Sequence, residues 1–238
     1  MSLEVKNVTA GYQKEIPVLR GVSIKADKAK VTVIIGPNGS GKSTLLKVIY
    51  GFIKPVKGNI LYDGHDITGL EPSRMIAQGI AYLLQGRSVF SKMLVAENLQ
   101  LGGWIMRNRS GAIREALEVQ YNKYPVLKEK KNSKAGELSG GQQKVVEISR
   151  SMIAKPRTIL LDEPTAGLAP KVAEEVYKEV NTLKKEGFTI LLVDQNVRKA
   201  VSLADYVYVL ELGKNEQEGP GEEFAANLDA VIKGWLLK

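Results

Sequence analysis

The 238-residue chain contains no cysteine and a single histidine, His65. Without thiols there are no disulfides and no thiolate metal sites, which agrees with a reducing compartment. No apolar run approaches the ~18 residues that a membrane-spanning helix needs. The opening stretch MSLEVKNVTA lacks the basic and apolar regions of a signal peptide. These absences predict a soluble, cytoplasmic protein. Acidic residues are also in short supply, 26 against 34 Lys and Arg, so the net charge is +8. That excess fits a nucleic-acid partner or an anionic membrane surface or, more plainly, lysines scattered over a solvated surface. The rest is ordinary for a globular chain, with 44% hydrophobic and 25% charged residues, enough for one domain with a buried core. No internal repeat, low-complexity segment or interdomain linker is visible.

The chain is organised around Val31–Leu46, VTVIIGPNGSGKSTLL. Val31 to Ile35 is a β-branched run of the length of a buried strand. Gly36-Pro37-Asn38-Gly39-Ser40-Gly41 then breaks regular structure, and from Lys42, Ser43 and Thr44 onward the pattern turns helical. Strand, glycine-rich loop and helix in that order give a G-x-x-x-x-G-K-[ST] match its meaning. Glycines let successive N–H groups point into one concavity at the positive end of a helix. Lys42 adds a full charge for the β- and γ-phosphates, and the Ser43 hydroxyl is placed to ligate Mg²⁺. The competing explanation is a strand–turn–helix with a chance GKS, and the flanks argue against it.

Around this stretch, strands and helices alternate. Leu3–Val8, Val18–Ala26 and Gly58–Tyr62 read as strands, with turns at Gly11-Tyr12 and Asp63-Gly64. Tyr12 is either an ordinary strand-edge aromatic or a platform for a purine. Glu71-Pro72-Ser73 opens a short helix, and the apolar strand Ile80–Leu84 ends on Gln85. Ligands of parallel sheets bind at the carboxyl ends of strands, where Gln85 falls. Between Gly86 and Ala135 the texture becomes helical, over Leu94–Leu101 and Ala112–Tyr124, with a basic link at Lys128–Lys134. Alternation resumes with strands at Thr158–Leu161, Thr189–Val193 and Tyr206–Leu210, a helix over Lys171–Glu186, a turn at Gly213-Lys214 and a helical tail from Glu222. The fold class predicted is α/β: a P-loop core with a mostly parallel sheet, a small antiparallel β region and an inserted helical lobe. The expected organisation is a single domain over 1–238, with residues 1–85 and 151–238 as core and 86–150 as the lobe.

Chemistry gathers after Thr158-Ile159-Leu160-Leu161, which ends in Asp162-Glu163-Pro164. Two adjacent carboxylates at the carboxyl end of an apolar strand are hard to explain as packing. Because side chains alternate along a strand, the two are expected to point apart. Asp162 then serves Mg²⁺ and Glu163 the water that attacks the γ-phosphate. Phosphoryl transfer needs positioned donors, a metal and an oriented nucleophile more than covalent chemistry.

Leu138-Ser139-Gly140-Gly141-Gln142 leads into the helical stretch Gln143–Ala154. It reads as a second glycine-rich anion site at a helix N-terminus. One nucleotide does not need two such sites unless they come from different subunits. LSGGQ followed by the acidic strand closely resembles the ATP-binding cassette (ABC) family, and the resemblance runs along nearly the whole chain. It implies that Tyr12 stacks adenine and that Gly36–Thr44 cradles the phosphates. It makes Ser43, Gln85 and Asp162 the Mg²⁺ ligands, Glu163 the catalytic base with Lys42, and Ser139–Gln142 the signature. It further implies a head-to-tail dimer, with itself or a sister ATPase subunit, each ATP lying between one subunit's loop and the other's signature. Separate membrane permease subunits would meet the Gln85 loop and the helical lobe, at the cytoplasmic face of the cell membrane. A solute-binding protein would be an indirect partner.

Two departures stand out. Ala169, in Gly167-Leu168-Ala169-Pro170, occupies a position where the family usually has Asp. Thr189–Val193 runs into Asp194-Gln195-Asn196, so Gln195 replaces the usual switch histidine. Both look like the subgroup that drives branched-chain amino acid uptake. The alternatives are a cassette ATPase serving nucleic acid, supported only by the charge, a nucleotide-gated scaffold that barely hydrolyses ATP, or a lipid-export or iron–sulfur assembly cassette. A further alternative for Gln195 is that it merely caps the following helix, for which Asn196 is as good a candidate.

Overall fold

The structure, a computed structural model, describes residues 1–13, 15–86 and 88–236. Lys238, the expected end of the domain, lies outside the described residues. Strands β1 (Leu3–Ala10) and β2 (Leu19–Ala26) form a hairpin, followed by β3 (Val31–Ile35) and helix α1 (Lys42–Ile49). Next come β4 (Lys57–Tyr62), β5 (His65–Asp66), a one-turn helix α2 (Pro72–Met75) and β6 (Ile80–Leu83). Four helices follow: α3 (Val95–Gly102), α4 (Ser110–Lys123), α5 (Pro125–Glu129) and α6 (Gly140–Met152). The chain returns to α/β order with β7 (Thr158–Asp162), α7 (Pro170–Lys185), β8 (Thr189–Val193) and α8 (Val197–Leu203). It closes with β9 (Tyr206–Glu211), β10 (Lys214–Pro220) and α9 (Gly221–Leu236).

The strands make two sheets. One is antiparallel, in the order β2-β1-β4-β5; the other runs β10-β9-β3-β8-β7-β6 and is parallel except at β10. This is the α/β class that the sequence predicts. Every residue of β3, β7 and β8 is buried, because both faces of the parallel sheet are covered. Period-two alternation sorts their side chains. Ile34, Leu160, Leu191 and Val193 join the core beneath the antiparallel sheet and α1. Val33, Ile35, Ile159, Leu161, Ile190 and Leu192 face the opposite core, with Met152, Val180, Ala200 and Leu228 from α6, α7, α8 and α9. The helical lobe has its own apolar cluster of Val95, Leu99, Tyr121, Leu127, Leu138 and Val146. Helix α6 joins the two, giving Val146 to the lobe and Ile148 and Met152 to the core.

Two local expectations are corrected. The strand β10, KNEQEGP, is absent from the sequence reading: its residues have low strand propensity and it lies at a solvated edge, where charge is tolerated. The turn feeding it is Leu212-Gly213, both at positive φ (47° and 79°), one residue earlier than expected. Leucine at positive φ gives no sequence signal. Likewise Gly140 and Gly141 belong to the first turn of α6 and are not a loop ahead of it.

Candidate nucleotide site

The glycine-rich loop sits at the carboxyl end of β3. Gly36 has φ +149°, and a Cβ there would lie 2.0 Å from the Leu210 carbonyl oxygen, so the loop passes too close to β9 for any side chain. Gly41 is the N-cap of α1 at φ +102° and offers no side-chain cap. The N-terminus of α1 thus keeps its donors for a ligand, with no acidic residue in its first turn to neutralise the dipole. The Lys42 ammonium folds back along the loop and donates to the Gly36 and Pro37 carbonyls at 2.8 Å each. Burial pushes the Lys42 ammonium below its ordinary pKa, and the carboxylates of Glu163 and Asp162 oppose that shift. Above the loop is a concavity of about 330 Å³ lined by Tyr12, Asn38, Gly39, Lys42, Ser43, Thr44 and Glu163 among others.

The two carboxylates separate, but not by strand alternation. Asp162 is the last residue of β7, whereas Glu163 has φ +48° and leaves the strand altogether. The Glu163 N–H donates to the Val193 carbonyl at 2.8 Å, which fixes this left-handed turn. Asp162, 1% exposed, accepts from the Ser43 hydroxyl on Oδ1 and from the Tyr82 hydroxyl on Oδ2, both at 2.7 Å. Burial, and then the Asp162 carboxylate, hold the Tyr82 hydroxyl far above its usual pKa, so it remains a neutral donor. Glu163, 8% exposed, accepts on a single oxygen, Oε2, from the Gln85 amide and from the Gln195 amide at 2.6 Å. Strand register explains the convergence. Leu83 pairs with Leu161 and Asp162 with Val193, so residues one or two past each strand end meet at one level.

A buried set behind the site escaped the sequence reading. The Thr165 hydroxyl donates to the Asp194 carboxylate at 2.8 and 2.9 Å and lies 3.1 Å from the Tyr177 hydroxyl. Asp194, the residue directly after Val193, is 2% exposed and also accepts the Asn196 N–H at 2.9 Å. It therefore points inward and ties the Glu163–Thr165 turn to the Gln195 loop. The cap of α8 is Asn196, whose side chain accepts from the Lys199 N–H at 3.2 Å. Gln195 is thus free for Glu163. A Tyr on the buried face of a helix and a Thr after a Pro were visible as residues needing partners, but nothing in the sequence says which.

Not all expected residues converge. Tyr12 stands at the edge, 65% exposed, with Lys47 donating to its hydroxyl at 3.2 Å. Ser139 is exposed and is not among the residues lining the phosphate-loop concavity. It caps α6 in a reciprocal box: its hydroxyl accepts the Gln142 N–H at 3.3 Å, and its own N–H donates to the Gln142 side chain at 3.1 Å. Ala169 caps α7 without any side-chain bond, ahead of Pro170. For a metal, the Ser43 hydroxyl, the Asp162 carboxylate and the Gln85 amide oxygen make an all-oxygen donor set, which suits a hard cation. Among the described residues there is no cluster of three His, Cys, Asp or Glu. That fits Mg²⁺, which keeps one or two carboxylates and takes substrate phosphates as further ligands.

Known proteins resemble this chain over most of its length. The family profile described as ABC transporter matches residues 19–166. The chain is 37% identical over 230 residues to the high-affinity branched-chain amino acid transport ATP-binding protein BraG of Pseudomonas aeruginosa, covering 94% of this chain and 96% of that one. It is 36% identical over 241 residues to the probable branched-chain amino acid transport ATP-binding protein LivG of Methanocaldococcus jannaschii, covering 95% and 92%. The crystal structure of the ADP conformation of an ATP-binding cassette of an ABC transporter superposes with a TM-score of 0.85 at 37% identity, covering 98% of this chain and 96% of the other. The chain belongs to the ABC transporter family, as one of its ATP-hydrolysing subunits.

Proposed function

We propose that this subunit powers an importer of branched-chain or other hydrophobic amino acids from the cytoplasmic face of the membrane. The observation that carries the mechanism is the double amide grip on Oε2 of Glu163, beside Lys42 and the Ser43–Asp162 pair. The α1 N-terminus and loop amides receive the ATP phosphates, and the Lys42 ammonium turns from the loop carbonyls to the β- and γ-oxygens. Ser43, Asp162 and Gln85 would hold Mg²⁺, which supplies charge neutralisation at the phosphates. Glu163 orients a water and takes its proton as the water oxygen attacks the γ-phosphorus and the bond to the ADP oxygen breaks. With both amides on Oε2, Oε1 is the oxygen for that water. Gln195 is a positioning residue that also reaches toward the γ-phosphate.

The exposed signature, which does not line the chain's own phosphate-loop concavity, supports a head-to-tail dimer that ATP closes and hydrolysis reopens. Permease subunits would dock in a groove of about 810 Å³ between the core and the lobe, lined by Tyr82, Leu83, Phe90, Trp104, Ile105 and Arg150 among others. Trp104 there is 66% exposed and Phe90 50%, the kind of apolar patch that marks a contact surface. Gln85 lies between that groove and Glu163, so a shift in the permease would reach the catalytic carboxylate. The test is uptake of labelled leucine, isoleucine and valine by cells lacking this chain, then supplied with the parent or with Glu163→Gln. Uptake should return with the parent alone. Undiminished uptake in the deletion would remove the importer assignment.

A further inference from the structure

The positive charge is not scattered. Between residues 86 and 150 there are twelve Lys and Arg against six Glu and no Asp, so this stretch holds +6 of the net +8. Part of that excess is focused by the fold. The segment after Phe90 pairs with the segment before the signature. Leu94 bridges to Lys134, Val95 N–H donates to the Ser133 carbonyl at 3.0 Å, Ala135 N–H to Met93 at 2.9 Å and Gly136 N–H to Ser91 at 2.9 Å. Exposed Lys92 is thereby set beside exposed Lys130, Lys131 and Lys134, with Lys128 in the preceding turn. Among the described residues, none of these five ammonium groups makes an ion pair or a side-chain hydrogen bond. Of the acids in these segments, Glu97 is committed elsewhere, its carboxylate accepting the Leu94 N–H at 2.8 Å to cap α3, and exposed Glu129 and Glu137 leave the five lysines a net excess of three.

This lysine patch adjoins the groove along the chain, since Phe90, which lines the groove, directly precedes the paired segment. What it faces follows from sign. Cytoplasmic loops of membrane proteins are themselves rich in Lys and Arg, so the loops of a permease would repel it. The cytoplasmic leaflet carries a negative surface potential and attracts clusters of four to eight basic residues close to it. Lysine, a hydrated point charge on a flexible stem, suits such diffuse attraction better than a shaped pocket. We propose that Lys92, Lys128, Lys130, Lys131 and Lys134 form a contact surface for anionic phospholipid headgroups, beside the groove that receives the permease. The proposal rests on the reading that this subunit works at the membrane, and it adds a direct lipid contact to the one made through the permease.

The test is flotation of the purified full chain with phosphatidylcholine vesicles, either pure or containing about one-third phosphatidylglycerol. Binding should require the anionic lipid and fade as salt rises toward about 0.5 M, where screening is nearly complete. Each lysine at such a surface is worth roughly fivefold in affinity, so changing Lys92, Lys130, Lys131 and Lys134 together to Gln should weaken binding at least about thirtyfold. Changing the same four to Arg should preserve it. Both variants should hydrolyse ATP like the parent, which shows that they fold. Equal binding to neutral vesicles, or a Gln variant that binds like the parent, overturns the proposal. So does a short nucleic-acid duplex that displaces the vesicles, since the patch would then be a nucleic-acid surface. A chain that restores amino-acid uptake but ignores every vesicle overturns the lipid contact alone. Lysine-dependent vesicle binding by a chain without any role in uptake supports the contact and removes only the importer reading.

Discussion

Helices α1 and α6 both follow glycine-containing motifs, and they treat their first N–H groups in opposite ways. Helix α1 starts from Gly41, which supplies no side-chain cap, and its first turn is largely buried around Lys42 and Thr44. Helix α6 starts from exposed Ser139, and its capping box satisfies two donors from within. The dipoles are alike, but the availability differs. An uncapped, buried helix start needs a ligand to complete it, whereas a capped, exposed one is stable by itself and can wait for a partner's ligand. In the proposed head-to-tail dimer, the phosphate loop would be the site that each chain owns, and the signature the one it lends.

The sharpest way to break that division is at Glu163, which stands with the owned site. Glu163→Gln should keep Mg-ATP binding while turnover falls by about two to four orders of magnitude. The neutral variant should also accumulate as an ATP-bound dimer, because a carboxylate no longer repels the phosphates. Turnover near the parent's would take Glu163 out of the mechanism. The lent site is tested by mixing Lys42→Ala with Ser139→Arg, each inactive alone. If sites form across the dimer, a mixed dimer has one site with both defects and one with neither, and partial activity returns. Mixed dimers that form without any activity would place the signature on the same chain's nucleotide.

A smaller effect separates positioning from capping at two neighbours. Gln195→Ala should lower kcat by about ten- to a thousandfold, with ATP affinity changed by less than about tenfold and the melting temperature nearly unmoved. Asn196→Ala should do the reverse, costing about 1 kcal/mol through the lost α8 cap while turnover is kept. Unchanged kcat in Gln195→Ala would dissolve the positioning role. The smallest effect concerns a third helix start. Ala169 leaves α7 without a side-chain cap, so Ala169→Asp should add about 1 kcal/mol and raise Tm by about 2–4 °C. A lower Tm would mean that the carboxylate is repelled where Ala169 sits, and that this helix start is closer to α6 than to α1.

Legibility followed the distance over which each interaction is encoded. Gly36–Ser43 could be read because a strand, a loop and a helix start lie within about a dozen consecutive residues and each step has its own signal. Asp162 and Glu163 were equally visible, yet the reason for their divergence was not. It lies in a left-handed turn at Glu163 that is held by a carbonyl 30 positions away in β8. Capping followed the same pattern. Ser139 and Asn196 announce themselves locally, but only the packed loop shows that Gln195 bonds to Glu163 and not to the helix.

The sequence by itself determined the order of the main elements, β10 excepted, the two buried faces of the parallel sheet, the phosphate loop and the family. The elements and the loop rest on periodicity and short-range spacing, and the family on the resemblance of its motifs. Tertiary structure alone decided that Gln85 and Gln195 grip one oxygen of Glu163, that Tyr82 holds Asp162, and that Thr165, Asp194 and Tyr177 lock the turn behind them. It also decided that lysines nearly forty residues apart share one patch. The reason is register. A one-residue slip of β6 or β8 against β7 would turn Tyr82 to the opposite face and carry Gln85 or Gln195 away from Glu163, and no local pattern in the chain records which register the packed sheet adopts.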